Sequence, residues 1–374
     1  MMSLTTRTIA AAAGVALLLA TAACSTERDA DTEETGGAAA EGSLIGIAMP
    51  TKSLERWNKD GAHLESLLQD AGYETDLQFA DNKVDQQITQ LQNMINQDPA
   101  VLVIASIDGT ALAPVLAQAK EKDITVIAYD RLINGTEDVD YYATFDNYEV
   151  GQMQGEFIVE QLGLDTGAGP FNLEPFAGSP DDNNAKFFFS GAWDVLGEYV
   201  ASGKLVVPSG KAPTSNDEWS SIGIQGWSSE TAQAEMENRL NSFYGSDKVD
   251  VVLSPNDSLA LGIQQALEGA GYTVGVDWPL VTGQDADEAN VENMIAGKQA
   301  MTVWKDTRTL GDQVATMVDQ VLAGETVSVN DEESYNNEVK VVPTYLLTPV
   351  VVTKDTIQST LIDSGFYSAA DLGL

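Results

Sequence analysis

The chain has 374 residues, and 57 acidic against 19 basic residues give a formal net charge of −38. A surface of that sign repels nucleic acid and anionic lipid headgroups, which excludes both as partners. One histidine leaves almost no material for histidine-dependent triads or histidine-rich metal sites, and one cysteine leaves none for a cysteine-based metal site or an internal disulfide.

The N-terminal stretch reads as an export leader. Arg7 precedes an apolar run from Ile9 to Ala20, shorter than the ~20 residues of a membrane-spanning helix. Small residues follow, as before a cleavage site. The sole cysteine comes next, and TAAC, ending at Cys24, resembles a bacterial lipobox with Thr21 where leucine is usual. Cys24 is therefore the expected lipidation site, anchoring the exported protein to the outer face of the cell membrane. Residues 25–42 are acidic and small, without Val, Ile, Leu or an aromatic residue, and read as a flexible tether. The remaining ~330 residues suffice for two domains resting on large cores.

From Ser43 onward, short apolar runs alternate with amphipathic helices. LIGIAM (44–49) is followed by a helical stretch around 56–71, in which His63 reads as a surface or boundary residue, and by LQFA (77–80). In KVDQQITQLQNMINQ (83–97), Val84, Ile88, Leu91 and Ile95 fall on one helical face. VLVIASI (101–107), a helix near 110–122 and ITVIAYD (124–130) complete this series. A second follows: FNLEPFAG (171–178), a helix over 184–202, KLVVPSG (204–210), a helix over 229–242, VDVVLSP (249–255), a helix over 258–270 and LVTGQD (280–285). The pattern predicts an α/β protein of two Rossmann-like lobes, each with a parallel sheet covered on both faces. The proline-punctuated VVPTYLLTPVVVT (341–353) reads as a strand-like hinge crossing. The expected division is a leader over 1–23, Cys24 and tether over 24–42, a first lobe of 43–146 plus about 286–340, a second lobe of 147–285 plus about 306–345, and a C-terminal strand and tail over 346–374.

Ligands of open parallel sheets bind beyond the carboxyl ends of the strands. Those ends carry Asp108; Asp130 and Arg131; Asp146 and Asn147; Asn256 and Asp257; Gln284 and Asp285; Lys305 and Asp306. Acceptor-only carboxylates, donor-only cations and bifunctional amides suit sugar hydroxyls, and Trp57 and Trp227 suit the C–H faces of the ring. Competing readings are a structural ion pair for Asp130–Arg131 and core positions for the two tryptophans. Asp257 is expected to cap the helix it opens, leaving Asn256 for the ligand. For Asp146 and Asn147, hinge and binding roles stand level.

The strings ERWNKDG, LVIASIDGT, VIAYDRLI, YYATFDN, AGSPDDNNA, VLSPND, TGQDAD and KVVPTYLLTPV, spread from about residue 44 to the C-terminus, resemble the periplasmic sugar-binding proteins of ABC transporters, above all the xylose- and multiple-monosaccharide-binding subgroup. The resemblance implies a type I periplasmic binding fold, no enzyme activity, no cofactor, a monosaccharide of the xylose, glucose or galactose type, an ABC permease as partner and a monomer. It implies ligand contacts from Arg56, Trp57, Asp108, Asp130, Arg131, Asp182, Asn184, Trp227, Asn256, Asp285 and Lys305. The D-x-N-x-D run of calcium-binding relatives has no counterpart, so no metal is expected. Two alternatives stay open: a receptor presenting its closed form to a membrane sensor, and a glycoside hydrolase using Asp130 and Asp285, against which the neighbouring cations argue. The segments 163–170 and 211–226 have no counterpart role; the second leads into Trp227.

Overall fold

The computed structural model describes residues 42–374. The leader, Cys24 and the tether up to residue 41 lie outside the described residues. Among the described residues no helix is long and apolar enough to cross a membrane.

The first lobe starts with β1 (Leu44–Met49), α1 (Glu55–Asp70), β2 (Glu74–Phe79), α2 (Val84–Asn96), β3 (Val101–Ile104), α3 (Ala113–Glu121), β4 (Thr125–Tyr129) and β5 (Tyr141–Phe145). The chain then crosses into the second lobe: α4 (Asn147–Leu162), β6 (Phe171–Pro175), α5 (Asn183–Ala201), β7 (Leu205–Val206), α6 (Ser229–Phe243), β8 (Val251–Leu253), α7 (Asp257–Gly269), β9 (Leu280–Val281), α8 (Glu288–Ile295) and β10 (Met301–Trp304). It returns for α9 (Thr307–Ala323) and β11 (Thr344–Leu347), and crosses a third time into β12 (Val350–Thr353).

The first sheet has the order β11-β5-β4-β3-β1-β2, parallel throughout. Period-two alternation assigns its faces. Ile45, Ile47, Val101 and Val103 pack under α1 and α9 through Leu64, Leu68, Leu310 and Val314. Ala48, Leu102 and Ile104 pack under α2 and α3 through Leu91, Met94, Val115 and Leu116. The second sheet, β7-β6-β8-β9, is also parallel. Its faces rest on α6 and α7 through Met236 and Ile263 and on α4 and α5 through Ile158 and Phe189. An antiparallel β10–β12 ribbon adjoins it through a Gln284–Val303 bridge.

The course of the last hundred residues differs from the expected division. Within 286–340, α8 packs on α7 and β10 pairs with β12, so this part belongs to the second lobe; α9 packs on α1 and belongs to the first. Within 306–345, β11 pairs with β5 of the first sheet, not with the second. The residues of 346–374 are split by the crossing, and the tail beyond β12 packs through Ile357, Leu361 and Tyr367 against Trp304 and Val291. Periodicity reports that a helix is amphipathic, not which sheet it covers, so lobe membership was illegible there. The helix α4 had no sequence signal for a related reason: Gly151, Gly155, Gln152 and Gln154 blur its apolar period.

Candidate ligand-binding site

The carboxyl ends of both sheets face one cavity. The first turn of α1 supplies Arg56 and Trp57, and the turn after β4 supplies Asp130 and Arg131. The start of α5 brings Asp182 and Asn184, the turn before α6 Trp227, the cap of α7 Asn256, and the segments after β9 and β10 Asp285 and Lys305. Ten of the expected residues thus converge on one space from loops far apart in sequence.

Three cations interlock there with four carboxylates, three of which line the cavity. Arg56 Nη2 lies 2.9 Å from Asp130 Oδ2 and 2.7 Å from Asp60, and its Nη1 is 3.6 Å from Asp285. Lys305 Nζ is 3.2 Å from Asp285 and 3.9 Å from Asp130. Arg131 Nε pairs with Asp182 at 2.9 Å, while its Nη1 donates to the Ser106 carbonyl at 3.0 Å. Burial pushes the Asp130 carboxyl up, but Arg56, Lys305 and Arg131 outweigh it and hold the group below the usual carboxylate range. Burial wins at Asp182, which sits above that range despite Arg131 and the Asn184 N–H. At Asp60, burial likewise outweighs Arg56 and raises the carboxyl.

Aromatic rings line the same space. The Arg56 and Arg131 guanidinium groups lie 4.3 and 5.1 Å from the Trp57 ring centre, and Lys305 Nζ is 5.4 Å from that of Phe188. Trp227 is fixed by its Nε1 donating to Asp182 Oδ2 at 3.1 Å. It also needs Gly178, because a Cβ there would fall inside the indole. Asp130, Trp227 and Asp285 all hold left-handed backbone conformations, φ 61°, 54° and 97°. Such strain persists only where the surroundings over-determine it, and it concentrates at functional sites.

The structure departs from expectation at three strand ends. Asp108 does not line the cavity: its Oδ1 accepts from Thr110 N at 2.8 Å in a local turn. The cause lies upstream, where the buried Gln87 side chain donates to Ala105 O and accepts from Ile107 N, so the backbone leaves the sheet before Asp108. Asn256, not Asp257, caps α7, its Oδ1 accepting from Leu259 N at 3.1 Å, yet it still lines the cavity. Asp257 is wholly buried and accepts from Gln299, Thr302 and Asp287 N. Asp146 caps α4, and Asn147 donates to Tyr142 and Thr144; neither lines the cavity. Leu54 and Phe188 line it and were not anticipated, and Gln284 was seen only as a strand end. The run Phe187-Phe188-Phe189 after SPDDNNA was the available signal.

The segment 211–226 does bear on the site. Gly226 N donates to Ser179 Oγ at 2.7 Å, and Asn82 of the first lobe donates to Gly226 O at 3.3 Å, which places Trp227. Within the cavity wall, Trp57 Nε1 and Gln284 Oε1 are buried without a hydrogen-bond partner. Donors and acceptors thus remain for a ligand carrying both functions. Asp130, held ionised by three cations, cannot serve as a general acid.

Comparison with known proteins places this architecture. Residues 45–326 match the family described as periplasmic binding protein domain. The chain is 50% identical over 327 residues to the multiple sugar-binding periplasmic protein SbpA of Azospirillum brasilense, covering 87% of this chain and 90% of that protein. It is 47% identical over 373 residues to the multiple sugar-binding periplasmic receptor ChvE of Rhizobium radiobacter, covering 100% of both. A crystal structure of an ABC transporter solute-binding protein from Clostridium phytofermentans with bound β-D-glucose superposes with a TM-score of 0.84 at 52% identity, over 88% of this chain and 100% of that one. With its two parallel sheets facing one polar cavity, the chain belongs to the periplasmic binding proteins, a family of exported receptors and not of enzymes.

Proposed function

We propose that the protein is the substrate-binding component of an ABC sugar importer and captures one neutral aldose, of the xylose, glucose or galactose type, between its two lobes. The observation that carries this reading is the interlocked set of three cations and three carboxylates around buried indoles. Counting Asp60, which pairs with Arg56, the set carries no excess of positive charge, so a neutral ligand rich in hydroxyls is matched and an anionic one is not. Charge-assisted hydrogen bonds are about twice as strong as neutral ones, and these ionised groups offer them to ligand hydroxyls. The names of the relatives and the glucose held by the similar crystal structure point the same way.

The ligand contacts are assigned to Arg56, Trp57, Asp130, Arg131, Asp182, Asn184, Trp227, Asn256, Asp285 and Lys305, with Phe188 covering an apolar face. A sugar touching both lobes favours their closed arrangement by its differential affinity, and the permease reads closure. The protein acts as a monomer held to the outer face of the membrane by lipid on Cys24. The relative from Rhizobium radiobacter is named a receptor, which motivates a second reading: closure is presented to a membrane sensor. A tryptophan-fluorescence titration against neutral aldoses and glucuronate tests the proposal. Saturable response to at least one neutral aldose, weaker for glucuronate at neutral pH, is expected; no response to any aldose overturns it.

A further inference from the structure

The first turn of α1 has two sides. Arg56 and Trp57 line the cavity, whereas Glu55 does not and points across the lobe junction. The helix α8 of the second lobe lacks a side-chain cap of its own, since Asp287, in the capping position, makes no such bond. Its first N–H, at Glu288, is instead taken by Glu55 Oε2 at 3.2 Å. An acceptor and a negative charge at a helix N-terminus are both favourable, and here they come from the opposite lobe.

The arrangement is braced on both sides. Lys59, one turn along α1, pairs with Glu55 and donates to the Tyr367 hydroxyl at 2.9 Å. That hydroxyl lies 3.2 Å from Glu55 Oε1 and 2.9 Å from the Ala286 carbonyl, bridging α1 and the loop before α8. The same loop carries Asp285, which faces Arg56. Consecutive residues of α1 therefore grip one loop of the other lobe, Arg56 through the cavity and Glu55 outside it.

We propose that Glu55 is a positioning residue for ligand capture: it caps α8 of the second lobe from the first and so stabilises the closed arrangement without touching the ligand. The inference rests on the sugar-binding reading above. A contact that exists only with the lobes together raises the closed fraction, and affinity rises with that fraction for every ligand alike.

Stopped-flow binding of D-glucose, D-xylose and D-galactose to the full-length protein tests it. Glu55→Ala, which keeps a strong helix former, should raise sugar dissociation about fivefold, the size of a lost cap. The order of preference among the sugars and the melting temperature of the sugar-free protein should stay unchanged. Glu55→Gln, which keeps the acceptor oxygen, should restore most of the loss. Tyr367→Phe, which keeps the ring and removes the hydroxyl, should raise dissociation about twofold. Dissociation unchanged in both Glu55→Ala and Tyr367→Phe overturns the proposal, as does a changed sugar preference. A parent protein that binds none of the sugars overturns the sugar-binding reading itself, and the role of Glu55 with it.

Discussion

Two buried charge clusters in this protein have opposite characters. In the core of the second lobe, Glu174 accepts from Ser209 Oγ at 2.7 Å and Tyr244 OH at 2.6 Å and pairs with Arg239 at 3.1 Å. Arg239 also donates to Pro175 O and Glu235 and lies on the Phe176 ring, so no polar atom of the pair is left over. The cavity cluster has similar ingredients, yet it leaves Trp57 Nε1 and Gln284 Oε1 unpartnered and holds three of its residues in strained backbone. A network closed on itself contributes to a unique fold; one left incomplete is available to a ligand.

The sharpest break of that comparison uses one substitution in each cluster. Arg239→Ala leaves Glu174 buried without its cation and should cost about 3–5 kcal/mol of stability, read by urea unfolding. Sugar affinity of the fraction that remains folded should barely change. Asp130→Ala should show the reverse: affinity falls by over a hundredfold, the ~2–5 kcal/mol expected for truncating one partner of a buried charged pair, with the smaller effect on the unfolding midpoint. Equal effects of both substitutions on stability and binding would erase the distinction.

A third substitution sharpens the comparison through pH. Burial pushes the Asp257 carboxyl well above its ordinary range, with Asp287 and Asp285 adding to the shift. Its neutral form is favoured in the fold, so its contribution is fully present below about pH 4 and is lost as pH rises towards the raised value. Asp130, held low, does the opposite: its contribution is present above the ordinary carboxylate range and is lost on acidification. Asp257→Asn should therefore flatten the fall in unfolding free energy as pH rises above the ordinary carboxylate range. An unchanged slope contradicts the assignment. The smallest effect belongs to Asp108→Ala, which should alter sugar affinity less than about twofold, because Asp108 is spent on Thr110. A tenfold loss in a titration would return it to the site.

How much of this was legible before the structure follows from the range of each signal. Strand ends announce themselves locally, through an apolar run that stops at a charged or amide residue; Asp130, Arg131, Asn256, Asp285 and Lys305 were read that way, whereas Arg56, Asp182 and Asn184 came only from the family resemblance. Asp108 failed because a distant side chain, Gln87, ends the strand's pairing early. The cap of α7 fell to Asn256 because either residue type can cap, and the choice depended on the hydroxyl and amide partners that Thr302 and Gln299 offer Asp257. Phe188 was hidden among three consecutive phenylalanines on one helix, of which geometry alone selects the one facing the cavity. The path of α8, α9 and the tail between lobes was beyond reach for the same reason: it is decided by contacts between residues hundreds of positions apart, such as Lys59 with Tyr367.

Isothermal titration of D-glucose, D-xylose and D-galactose into the parent protein and into Asp130→Ala tests the central claim most directly. Saturable one-to-one binding of at least one neutral aldose to the parent, abolished or weakened over a hundredfold in the folded variant, is the predicted result. No saturable heat with any of the three, or binding undiminished without Asp130, would contradict it.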